Sequence, residues 1–247
     1  MKRIFIFLLL VCSVPVLAQQ GENTNIKGIS IQFSYSPSIF PGSWLTTDIA
    51  ATGTPISSTE ISRAKKIISA ALAKYPDTVL HTELSTVCFL KTMSMYHVEF
   101  GGTYSSDTVY LTDNRQETDA YPEQTFHHEF SSILYRNHPS FLDTVAWKAA
   151  NGFDYKDPEA GVGAIRSDHS SQDLDTVLCL RGFLTQYACS GIENDINTIA
   201  QNLFKPSAGF WNIYNTYRRI KEKTDLLIWF YWRLNPAFTR KFFMGMK

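Results

Sequence analysis

His128 and Glu129, adjacent in the stretch Phe126-His127-His128-Glu129-Phe130-Ser131-Ser132, are the residues of this chain best suited to chemistry. On a helix, the pattern His-Glu-x-x-His sets two imidazoles one turn apart on a zinc ion, with the glutamate beside them as base. His128 and Glu129 stand in that register, and Ser132 takes the place of the second histidine. A hydrolytic zinc needs three protein ligands and one open position, where bound water loses its proton near neutral pH. His128 can supply one ligand and Glu129 the base. A further donor has to come from a carboxylate elsewhere in the chain, with Glu193 the first candidate and Asp195 the second.

Successive helical residues advance by about 100°, so Phe126, Phe130, Ile133 and Leu134 share one apolar side, and His128, Glu129 and Ser132 share the other. His127 and Ser131 flank the apolar stripe, which makes His127 a packed or bracing residue rather than the principal ligand. Serine's neutral hydroxyl is a poor zinc donor beside imidazole, thiolate or carboxylate. Three arrangements follow: a rearranged ligand set that includes His127, Glu193 and Asp195, a pocket that binds without hydrolysing, or a buried polar cluster with no site. A serine nucleophile at 131 or 132 is disfavoured, because no Gly-x-Ser-x-Gly elbow is present and His128 precedes Ser132 on the same helix.

The motif helix should begin near Pro122-Glu123 and stop at Asn137-His138-Pro139. Upstream, Ser57 and Glu60 form a capping box, and Ile61, Ala64, Ile68, Ala71 and Leu72 then recur at helical spacing as far as Tyr75-Pro76. A strand is expected over 28–35. The β-branched and aromatic runs 79–84, 86–93, 96–100 and 108–112 predict a small sheet, with Gly101-Gly102 and Ser105-Ser106-Asp107 as turns. Downstream, the pattern predicts helices over 141–150, 174–188, 192–204 and 211–234. The polar stretch 151–171 is too long for an idle connection and is expected to cover or line a site.

With 247 residues, 44% of them hydrophobic, the chain can bury one large core. Its formal net charge is zero and it has no basic block, which leaves nucleic acid no electrostatic footprint. Lys2 and Arg3, an apolar run and Val16-Leu17-Ala18 read as a signal peptide over 1–18, with export to the periplasm, cell surface or medium. Lipid anchoring at Cys12 is the lesser route, because Val11 sits where a small residue is required. Residues 19–55 read as an extended entry segment and 56–247 as the domain, monomeric and without a transmembrane span. Cys88, Cys179 and Cys189 form no Cys-x-x-Cys pair, and buried inert thiols are expected.

Gly182-Phe183-Leu184-Thr185-Gln186-Tyr187-Ala188 and Glu193-Asn194-Asp195-Ile196-Asn197, placed after the His-Glu helix, give residues 55–205 a resemblance to a family of exported bacterial zinc-binding metallopeptidases with a gluzincin-like plan. The resemblance implies an α+β, zincin-like fold, with a small N-terminal sheet over the motif helix and a mainly helical C-terminal half below it. It implies zinc as cofactor, His128 and Glu193 as ligands, Glu129 as general base, and Tyr187 near the oxyanion. Asp195 is the neighbouring register for the carboxylate ligand. Ser132 and Asn197 stand where the family carries its second histidine and a further acidic residue. The implied activity is hydrolysis of a peptide or protein substrate; the alternative is a non-catalytic surface protein that keeps the fold and binds a peptide or glycan.

Overall fold

A computed structural model describes residues 23–113, 118–156 and 160–246; the expected signal peptide and Cys12 lie outside the described residues. The first half runs β1 (Thr24–Ile26), β2 (Ile29–Gln32), β3 (Thr52–Pro55), α1 (Ser58–Leu72), α2 (Asp77–Glu83), β4 (Thr86–Met95), β5 (Val98–Glu99), β6 (Gly102–Ser105) and β7 (Thr108–Thr112). Helices follow: α3 (Ala120–Asn137), α4 (Thr144–Ala149), α5 (Ala160–Arg166), α6 (Thr176–Cys179), α7 (Ile192–Phe204), α8 (Phe210–Thr216), α9 (Arg218–Leu234) and α10 (Arg240–Met244). The fold is therefore α+β, a small N-terminal sheet followed by a mainly helical C-terminal half.

The sheet is mixed, with the order β1-β2-β4-β7-β6; β3 and β5 pair with the far end of β4. β4 is parallel to both β2 and β7, and its side chains are buried on both faces, as parallel strands require. Val87 and Phe89 enter the main core, whereas Cys88 and Leu90 enter a second cluster with Phe40, Met93 and Tyr110. β6 runs antiparallel to β7 and forms the edge of the sheet nearest α3.

α1 starts with the expected box, in which the Ser57 backbone N–H donates to Glu60 Oε2 at 2.8 Å. α3 turns Phe126, Phe130, Ile133 and Leu134 into the core. Each of these side chains contributes about 1.5–3 kcal/mol on burial. That burial fixes the rotation of the helix and so decides where His128 and Glu129 point.

Several expectations change at this level. The division at residue 55 is not a structural boundary, because β1, β2 and β3 belong to the sheet and Ile29, Ile31 and Phe33 to its core. Residues 79–84 are not a strand. After Pro76 they form α2, with Val79, Leu80 and Glu83 on one buried face, so helical periodicity outweighs the β-branched composition. β6 was hidden by its glycine and serines, which read as turns. The helix expected over 174–188 breaks into α6, a bend at Gly182 (φ 88°) and a 3-10 turn at Tyr187–Ser190. The long C-terminal helix divides between Thr216 and Arg218 into α8 and α9.

Cys88, Cys179 and Cys189 are free and buried. Burial raises their thiols to about 12, about 12 and about 11, so none is a thiolate at neutral pH. No described helix is long and apolar enough to cross a membrane.

Candidate functional site

α3 and α7 lie side by side and pair their polar faces in three rungs, each one turn from the next. His128 Nδ1 donates to Gln201 Oε1 at 2.8 Å, Asn197 Nδ2 donates to Ser132 Oγ at 2.6 Å, and Arg136 Nη2 approaches Glu193 Oε2 at 3.4 Å. The two helices therefore run antiparallel, with residues four apart on each forming the ladder. His128, Ser132, Asn197 and Gln201 are all buried.

This register places the residues of the expected metal centre. Opposite Ser132 stands Asn197, while Glu193 lies one turn further along, where it accepts a hydrogen bond from Tyr104 Oη and faces Arg136. Asp195 projects to the other side of α7 and is fully buried. Its Oδ2 accepts from Lys223 Nζ at 2.6 Å, Trp147 Nε1 at 2.8 Å and Tyr155 Oη at 2.9 Å. That ion pair commits Asp195 to holding α7 against α9 and α4, which removes it as a ligand. His127 also points away. Its ring stacks on Phe204 at 5.0 Å and its Nδ1 shares a 2.9 Å hydrogen bond with Tyr75 Oη.

The groups that converge between the two helices do not fit zinc. They are one imidazole, one hydroxyl and two carboxamides, and no group of three or more His, Cys, Asp or Glu able to hold a metal ion exists among the described residues. Asn197 Oδ1 is buried without a hydrogen-bond partner, which offers a cation one neutral acceptor in place of a charged ligand. Ser132 Oγ is taken by the proton of Asn197 Nδ2.

Beside this ladder opens a cavity of about 210 Å³, walled by His128, Glu129, Tyr187 and Gln201 on the helical side and by Gly101 and Gly102 at the start of β6. The close approach needs glycine: a Cβ at Gly102 would lie 2.4 Å from Thr125 Cγ2 and 3.1 Å from Glu129 Cγ. The polar stretch after residue 151 lines the same cavity through Ile165, Ser170 and Gln172. Tyr187 leans over His128, ring centroids 5.8 Å apart.

Burial, with a smaller contribution from the Glu193 carboxylate, pushes the Glu129 carboxyl up to about 8. Burial likewise lowers His128 to about 4, and its bond to Gln201 only partly opposes this. At neutral pH the site therefore holds a carboxylic acid and a neutral imidazole.

Gln201, Tyr104 and the β6 glycines were not foreseen. Gln201 had a signal in its helical spacing from Glu193 and Asn197; Tyr104 and the glycines had none, since only strand pairing brings them to α3.

No family model and no curated sequence matches this chain. Its fold is similar to that in a crystal structure of a putative zinc-binding metallo-peptidase from Bacteroides caccae, with a TM-score of 0.54 over 88% of this chain and 85% of the other. At 14% identity the likeness is one of fold.

Proposed function

We propose that this chain is an exported, non-catalytic member of the peptidase-fold proteins, whose cleft binds an extended peptide without cleaving it. One observation carries the reading: the 2.6 Å hydrogen bond from Asn197 to Ser132 closes two positions of a would-be metal centre into a neutral pair. His128 keeps its place beside Glu129, yet a lone imidazole with two amides and a hydroxyl makes a weak zinc site. Peptide is favoured over glycan because β6 is a sheet edge among the described residues, and Gly101 and Gly102 bring its backbone to the cavity wall. An extended chain can add to such an edge through main-chain hydrogen bonds.

Metal content and peptide cleavage test the reading together. Protein equilibrated with zinc and then dialysed is expected to retain no stoichiometric metal and to leave a broad peptide library intact. Near-stoichiometric zinc, lost on His128→Ala together with cleavage of the library, would overturn the proposal in favour of a zinc peptidase with Glu129 as base.

A further inference from the structure

The half-buried carboxyl of Glu129 lacks what the buried acids of this protein have. Glu123 faces Lys74 and Lys205, Asp113 faces Arg63, and Asp195 faces Lys223. Among the described residues Glu129 forms no hydrogen bond or ion pair, and the charge nearest to it is the like charge of Glu193. It opens on a cavity that also holds Glu99 and the rings of Phe100, Tyr121 and Tyr187, and among the described residues no lysine or arginine lines that cavity. No described residue supplies the missing cation.

We infer that the cavity receives the primary ammonium group of a peptide, an inference that rests on the binding reading above and names its ligand chemistry. An ammonium carries three donors and no acceptor. It suits the Glu129 carboxyl, which releases its proton to solvent as the cation docks, with Gln172 and Gln201 amide oxygens on the same wall, and it gains further from aromatic faces within about 6 Å. The cavity's volume of about 210 Å³ admits a terminal residue or a lysyl tip. Glu99, exposed at the rim, draws the cation in, and β6 lies where the following residues would run.

Three series of tetrapeptide amides test this: free-amine and N-acetylated series whose first residue runs over the uncharged types, and an N-acetylated series with lysine in first place. Binding is read by titration calorimetry on the intact protein. The free-amine series is expected to bind about tenfold or more tightly than its acetylated counterpart, the worth of one charged hydrogen bond. Glu129→Gln should erase that preference at a thermal midpoint no lower than that of the wild type, and Glu99→Gln should reduce it. Equal affinity of the acetylated lysine series assigns the ammonium to a side chain. Equal binding of free and plain acetylated peptides, or a preference that survives Glu129→Gln, overturns the ammonium inference and leaves the peptide reading standing. Absence of binding in all three series overturns both.

Discussion

At the scale of single residues, Ser132 and Asn197 decide the chemistry of this site, since each puts a neutral group where a metal centre needs an imidazole or a carboxylate. Replacing both, as Ser132→His with Asn197→Glu, sets three strong donors with His128 on facing helices. Zinc affinity is then expected to rise by about a hundredfold or more, as calorimetry would read it. Titration belongs to the same scale. The folded state raises Glu129 from 4.5 to about 8, so folding holds a proton that the unfolded chain releases, and stability falls as pH climbs through that window. His127 and His128 have the opposite sign: lowered from 6.5 to about 4, they take stability away as pH falls below 6.5. Two histidines outweigh one glutamate on the acid side, so the thermal midpoint should peak at about pH 6.5. In Glu129→Gln the decline between pH 6.5 and 8 should vanish. A midpoint that keeps rising to pH 8 in the wild type would contradict the burial assigned to Glu129.

Elements are held in register by a few buried contacts, and these are sensitive to substitution. Lys223 Nζ bonds both Asp195 Oδ2 and the Gly182 carbonyl at 2.6 Å, and it sits over the rings of Phe183 and Trp147. Lys223→Met leaves Asp195 buried without a counter-charge and should cost about 3–5 kcal/mol in denaturant unfolding. Pairing it with Asp195→Leu should recover much of that loss, because the desolvation penalty then disappears from both sides. The contact of β6 with α3 depends on Gly102. Gly102→Ala should cost about 1–3 kcal/mol by overpacking against Thr125, and Thr125→Ser, which removes the clashing methyl, should relieve it. An unchanged midpoint in Gly102→Ala would mean that the strand stands further from the helix than the structure has it.

Across the whole molecule, the sheet ties the N-terminal residues to the core. β2 lies between β1 and β4, and Ile29, Ile31 and Phe33 are almost wholly buried. A chain beginning at residue 56 is therefore expected to show no cooperative unfolding transition, whereas one beginning at Gln19 should keep the transition of the full chain. The cavity depends on the same assembly, for its walls come from β6, α3, α7 and the segment after residue 151. Losing the sheet would remove one wall entirely.

Periodicity and capping made much of this protein legible in its sequence. The α1 box, the apolar stripe of α3 and the face of α7 carrying Glu193 and Asn197 are local properties, set by 3.6-residue geometry and by side chains within one turn. The same geometry showed His128, Glu129 and Ser132 on one side of their helix. What the sequence left open was non-local. Which residue of α7 faces Ser132 depends on the axial offset of two helices, and an offset of one turn exchanges Glu193 for Asn197 without changing the pattern of either helix. The helical segment 79–84, the edge strand at Gly102 and the ion pair of Asp195 with Lys223 were likewise settled by packing between distant parts of the chain, where burial outweighs local propensity. The tertiary structure alone decided that His128 and Ser132 of α3 meet amides in place of carboxylates.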